Sequence, residues 1–397
     1  LPLPAELFIV ANDTPYAREI FREFPEQVLL IHTRDAHGDL LDTFEILSLP
    51  AVKEWVREKA GSSARLLVFK NTLQIERLAS REGWTLLNPS AKLADQIESK
   101  VSQVAWLNES VGADDSDFVK KSLPPGTMTL KCGDVRWTGQ PVVIQFAHSH
   151  TGEGTVLVES EPVLQAMQAQ FAEREVRVSS FVKGPVFTSN NVITSDGKIL
   201  AGNISLQITG LAPFTDLPFS TVGNDWEYAN KNFKQIEKYQ EIVQIVGKKL
   251  VDSGWKGLFG IDVVSEEKSG QLFLIEINAR QPASTTFESQ LQAEARTDNS
   301  LTLFEAHLTS LLNRPINDGE QALTLQGIKS GAQIIQRITK AIVSGALYPE
   351  AETLRAKGLT VIEYVNRKPN SDLLRIQSRT GLIDETGKVK KDTIYYA

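Results

Sequence analysis

The chain of 397 residues contains one cysteine, Cys132, two methionines and five histidines. A single cysteine excludes an internal disulfide and a cysteine-built zinc site. No apolar run approaches the roughly 18–20 residues that a membrane helix needs, so no membrane partner is expected. A basic surplus is lacking too: 42 Lys and Arg stand against 49 Asp and Glu, a net charge of −7. That balance argues against a nucleic-acid partner, because neutralising phosphates takes a clustered positive excess. Residues 1–4 lack a basic segment leading into an apolar one, so no secretory leader is read there and a cytoplasmic protein is expected. What is present is ordinary for a globular protein: 41% hydrophobic and 23% charged residues, in a chain long enough for two or three domains.

Apolar runs at 7–11, 28–32, 65–69 and 84–87 alternate with helical patterns at 15–24, 51–59 and 72–82. Strands alternating with helices predict a parallel βαβ sheet, so residues 1–92 read as an N-terminal α/β domain. No G-x-G-x-x-G follows its first strand, so no dinucleotide site is assigned. Residues 90–109 place Ile97, Val101, Val104 and Leu107 on one face of a helix. Strands at 141–147 and 156–158 flank a loop containing His150, Gly152, Gly154 and Thr155, whose backbone N–H groups could close over phosphate oxygens. There follow a helix at 161–173, an alternating strand at 175–183, a hairpin turned at Asp196-Gly197, and a loop at 223–226. An amphipathic helix at 230–252 presents Ile236, Ile242, Ile245, Val246 and Leu250 as its buried side. A linker at 313–320 leads to strands at 332–338, 360–364 and 373–376, in which no catalytic constellation is read.

Residues 257–285 organise the rest. They read as a β-hairpin: an apolar run at 260–264, a polar turn at 266–270 and a second alternating run at 271–278. Asp262 interrupts the first run, and Glu276 and Asn278 interrupt the second. Two positions apart on a strand, Glu276 and Asn278 share a face, and Asp262 joins them if the register allows. Two carboxylates and an amide oxygen form a hard-oxygen set suited to Mg²⁺ shared with substrate phosphates. Arg280, at the same parity, can hold a phosphate or carboxylate as a fork.

GIDVV, a short turn and LIEINAR resemble the metal-binding hairpin of the ATP-grasp superfamily. The resemblance implies α/β and α+β architecture: a pre-ATP-grasp domain at 1–92, an ATP-grasp core at 93–318 with a nucleotide-clamping part at about 127–185, and a small β-rich C-terminal lobe at 319–397. It implies ATP and Mg²⁺ as cofactors, Asp262, Glu276 and Asn278 as metal ligands, and Glu276 and Arg280 as catalytic. Ser180, Phe181, Val182 and Lys183 would lie along the adenine-reading hinge. The chain departs from the family in two places. A lysine usually stands on the strand before the glycine loop, where this sequence has Gln145, and Lys131, His148, His150 or Lys183 are candidates for the missing charge, Lys131 foremost. An acidic residue usual after the hinge glycine is replaced by Val186 and Phe187.

The activity implied is an ADP-forming ligase that activates a small carboxylic acid, such as an amino acid or peptide, as an acyl phosphate and joins it to an amine. Small-molecule acid and amine are then the partners, with a homodimer as the common assembly in the superfamily. A biotin-carboxylase-like or kinase-like enzyme and a nucleotide-binding regulator without turnover are the alternatives.

Overall fold

The computed structural model describes residues 6–109, 121–147, 154–318, 321–322, 324–339, 351–364 and 372–390. The N-terminal part is α/β, with parallel pairing as the alternation predicts. Strands β1 (Ile9–Asn12) and β2 (Val28–Ile31) pair in parallel, as do β3 (Arg65–Leu66) and β4 (Thr85–Leu86). They form two separate two-stranded sheets rather than one. One reason is local: β3 stops early because the Asn88 side chain takes over the ladder, donating to Val68 O at 2.7 Å and accepting from Val68 N at 2.9 Å. Helices Pro50–Ala60 and Leu73–Glu82 cover this layer, and Ile31, Val52, Ile75 and Leu78 fill its core.

The helix expected across 90–109 is two helices, Ala91–Glu98 and Lys100–Asn108, broken at Ser99. Ser99 accepts from Ser102 N and caps the second helix, as a serine at that position is disposed to do. The break turns Glu98 and Lys100 toward the cavity described below.

A four-stranded antiparallel sheet follows, in the order β5 (Met128–Lys131), β8 (Glu175–Ser180), β6 (Val142–Phe146), β7 (Thr155–Val158). Helix Glu161–Phe171 packs on it through Leu164 and Met167. Val163, read as part of that apolar face, is exposed.

The rest of the chain is built on one nine-stranded sheet. Its order is β14 (Leu272–Asn278), β13 (Gly257–Ser265), β9 (Val186–Ile193), β11 (Ile204–Thr209), β12 (Thr221–Asp225), then β17 (Ala332–Arg337), β19 (Asp372–Ser378) and β18 (Thr360–Glu363), with β10 (Ile199–Leu200) paired to β9. A separate short hairpin joins β15 (Asn317–Asp318) and β16 (Gln321–Ala322). The three C-terminal strands therefore extend the sheet that carries the β13–β14 hairpin. Strand β12 covers the stretch read as a loop at 223–226. Its polar residues are buried but satisfied: Asp225 accepts from the backbone N–H groups of Tyr228, Leu382 and Ile383, and Asn224 donates to Ser205 Oγ at 3.1 Å.

The helix expected at 230–252 is also divided, into Trp226–Asn232 and Ile236–Asp252. Ile242, Val246 and Leu250 are buried under the sheet, whereas Ile236 sits at the new N-terminus and is 49% exposed.

Candidate active site

The hairpin strands pair so that Asp262 lies opposite Glu276 and Gly260 opposite Asn278. This register puts all three oxygen-bearing side chains on one sheet face. A side chain at 260 would crowd Asn278, since an added Cβ would stand 3.2 Å from Asn278 Cβ and 3.0 Å from Pro282 Cγ. The face opens on a cavity of about 400 Å³, whose wall includes Asp262, Glu276, Asn278, Arg280 and Thr155.

Two carboxylates side by side raise an electrostatic problem, and the structure answers it with Lys100. This lysine is 5% exposed, a state lysines rarely occupy unpaired, and its Nζ lies 2.8 Å from Glu276 Oε1. Burial opposes ionisation of Glu276, but the Lys100 ammonium, helped by Arg280 and Arg177, holds its carboxyl below the usual range. Asp262 goes the other way. Burial and then the Glu276 charge push it up to about 6, although Thr188 and Gln207 hydrogen-bond it, Gln207 Nε2 donating at 3.1 Å. A carboxyl in that state lacks a positive partner, and a divalent cation would supply one. The donor set fits such an ion in part only: among the described residues no three His, Cys, Asp or Glu are grouped to hold a metal. Two carboxylates and an amide would need further oxygens from a ligand, which is the way Mg²⁺ is commonly held against phosphates.

Glu98 sits between two cations, Lys70 Nζ at 2.7 Å and the Arg280 guanidinium. The fork expected of Arg280 is thus aimed and steadied by a carboxylate from the helix break. On the far wall the C-terminal strands contribute Gln333, Ile335 and Arg337. Arg337 donates to Asp372 and to Thr221 O, each at 2.9 Å.

Other expected site residues lie elsewhere. Lys131, expected as the phosphate cation, is exposed, paired with Glu173 at 2.7 Å and off the cavity wall. Lys183 likewise turns to Glu267 at 3.0 Å and is exposed. The backbone N–H groups of Ser180 and Phe181 are committed to Pro125 O and Pro141 O, at 2.8 and 3.2 Å. Val182 follows on the same segment, off the cavity wall. Gln145 lies just behind the wall, its Nε2 3.3 Å from Thr155 Oγ1. The Gly154 carbonyl oxygen joins the ladder by accepting from Phe146 N at 3.0 Å. His148, His150 and Gly152 fall outside the described residues.

Sequence reasoning missed Lys100, Glu98, Arg177 and Arg337. Glu98 and Lys100 were hidden in what read as one continuous helix. Arg177 was hidden in the alternation of β8, where it is buried.

No protein-family model and no curated protein matches the chain. Among solved structures it is similar to N5-carboxyaminoimidazole synthetase from Staphylococcus aureus complexed with ADP, with a TM-score of 0.62 and 11% identity over 96% of this chain and 94% of that one. It is also similar to N5-carboxyaminoimidazole synthase from Aspergillus clavatus in complex with ADP and 5-aminoimidazole ribonucleotide, with a TM-score of 0.58 and 16% identity over 94% of each chain. A third likeness is to biotin carboxylase from Campylobacter jejuni in an ATP complex, with a TM-score of 0.59 and 10% identity over 94% of this chain and 81% of that one. At these identities the likeness establishes the fold, which is that of the ATP-grasp enzymes.

Proposed function

We propose that this chain, built on the ATP-grasp fold, is an ADP-forming ligase that activates a carboxylic acid with ATP and couples it to an amine. The observation that carries the reading is the Asp262–Glu276 rung. Two carboxylates share a cavity face with Asn278, and Arg280 stands on the same wall. The ADP and ATP bound in similar structures support the choice of nucleotide. Fold alone does not fix chemistry, so the weight rests on that rung.

In this reading Asp262, Glu276 and Asn278 would hold Mg²⁺, which when bound draws charge off the β and γ phosphates. Lys100, paired with Glu276 on the cavity wall, would meet phosphate oxygens there. A carboxylate oxygen of the acid attacks the γ phosphorus, the bond from that phosphorus to the β-phosphate oxygen breaks, and ADP leaves. The amine nitrogen then attacks the acyl carbon, the bond from that carbon to the phosphate oxygen breaks, and phosphate leaves carrying the proton that the nitrogen gives up. Arg280 stabilises the negative charge on the transferred group and on the tetrahedral adduct. An amino acid or short peptide is the proposed acid, and a cytoplasmic location is the proposed setting.

A second reading has bicarbonate as the acid, favoured by the presence of carboxyaminoimidazole synthetase and biotin carboxylase among the similar structures. One experiment addresses both. Phosphate release from ATP is followed in mixtures of acids and amines, with and without bicarbonate, and product mass is measured. Release that requires an organic acid and an amine, with an amide product, supports the ligase. Release that requires bicarbonate supports the second reading. ATP that is bound but not split under any mixture overturns both in favour of a nucleotide-binding regulator.

A further inference from the structure

Arg177, Gln145 and Thr155 occupy one rung of the four-stranded sheet: Gln145 has Arg177 as its cross-strand partner on β8 and Thr155 on β7. Arg177 is 4% exposed. Its Nε donates to Gln145 Oε1 at 2.9 Å, and one terminal nitrogen donates to that same oxygen and to the Ile275 carbonyl. The other terminal nitrogen donates to Gln103 Oε1 at 3.0 Å. Every one of these acceptors is a neutral oxygen. A buried cation surrounded by neutral acceptors keeps its full charge, whereas one paired with a carboxylate does not. Burial lowers Arg177 to about 10, the Glu276 carboxylate opposing that shift through space, and the group stays protonated at neutral pH.

The guanidinium also fixes how Gln145 is turned. It offers only donors, so it must face the amide oxygen. The Gln145 amide nitrogen is thereby turned the other way, toward Thr155 Oγ1 at 3.3 Å, and Thr155 is part of the cavity wall. The backbone beside this rung is tied to the same cavity, since Lys100 N donates to Ala147 O at 3.3 Å.

We propose that Arg177 and Gln145 form a divided phosphate-binding cation. The guanidinium, buried behind the wall, supplies the charge, and Gln145 carries it forward as a polarised N–H donor to the nucleotide's diphosphate. Arg177 is a positioning residue in this scheme, since it does not reach the ligand. The pair accounts for the glutamine on β6. A lysine at 145 would set an ammonium against a buried guanidinium and remove the oxygen that accepts two of its hydrogen bonds. The inference rests on the nucleotide reading given above.

The test compares ADP with adenosine, which has no phosphate, by calorimetric titration of the full chain. Gln145→Glu keeps an acceptor for Arg177 and strengthens the pairing, but cancels the charge and presents a carboxylate to the diphosphate. Its ADP affinity should fall about tenfold or more, the size of one charge-assisted hydrogen bond, with adenosine affinity and thermal midpoint unchanged. The transposed variant, Gln145→Lys with Arg177→Gln, should bind ADP within about threefold of the parent, because the cation returns to the forward position. An ADP affinity unmoved by Gln145→Glu would overturn this inference alone. Equal losses for ADP and adenosine would also overturn it, because they would mark a purely structural role. Parent protein that binds no ADP would overturn the nucleotide reading and this inference with it.

Discussion

Two cross-strand pairs flank the cavity, and they handle buried charge in opposite ways. On the hairpin, Asp262 faces Glu276, like charge against like, and one of the two is driven up to about 6 for want of a positive partner. On the smaller sheet, Arg177 faces Gln145, and every hydrogen bond it makes goes to a neutral oxygen, the Glu276 charge acting on it only through space. The first pair is incomplete within the protein and gains from an outside cation. The second is complete within the protein and projects a charge outward. A buried ionic group is thus informative about ligands only after its partners are counted: a deficit marks where something must bind, and a satisfied surplus marks a field that something can use.

Three changes test this contrast, in order of expected size. Asp262→Asn or Glu276→Gln should lower turnover by about a thousandfold or more, since each removes an oxygen anion from the group that would hold the metal. For Asp262→Asn the thermal midpoint should hold or rise, because one of two adjacent carboxylates is gone, whereas Glu276→Gln strips buried Lys100 of its partner and should lower it. Phosphate release and scanning calorimetry check the two halves, and normal turnover in both variants would remove the proposed metal site. Arg177→Met should do the reverse. It leaves the oxygens of Gln145, Gln103 and Ile275 without their donor and should cost about 3 kcal/mol of stability in urea unfolding. A loss below about 1 kcal/mol would show that the pair is not complete in the sense argued.

Glu288 supplies the third test, as a buried acid with no cation beside it. Burial pushes its carboxyl up to about 7, although Asn203 and Asn190 hydrogen-bond it. An acid raised above its ordinary 4.5 binds its proton more tightly folded than unfolded, so stability is greatest at low pH and falls as pH climbs through that window. Glu288→Gln should flatten the decline between pH 5 and 8, an effect of up to about 3 kcal/mol. The check is denaturant unfolding of both proteins at the two pH values. A slope left unchanged would assign the decline to other groups.

The hairpin was legible in sequence because its polar residues stand inside apolar runs, and Asp262 between Ile261 and Val263 has no bland explanation in a buried strand. Its register was not legible, since pairing is settled by tertiary contacts that no local pattern encodes. Lys100 was invisible for a similar reason. Its neighbours Ile97, Val101 and Val104 keep helical spacing across the break, so periodicity runs straight through the Ser99 cap. Arg177 was invisible because alternation alone cannot tell a solvent face from a face buried against helix Lys100–Asn108 and β14. Strand β12 failed on composition: Gly223, Asn224 and Asp225 carry turn chemistry, and only the partners supplied by Ser205, Leu382 and Ile383 make a buried strand of them. Arg337 was discounted because its strand was assigned to a lobe of its own.

That strand has a bearing on synthesis. Because β17 is hydrogen-bonded between β12 and β19, the hairpin's sheet ends in an open edge at β12 while residues 332–378 are still unmade. Open edges recruit other chains. The nascent polypeptide therefore passes through a sticky interval that closes only when its late strands arrive, and a fragment cut at the 313–320 segment would be left in that interval permanently.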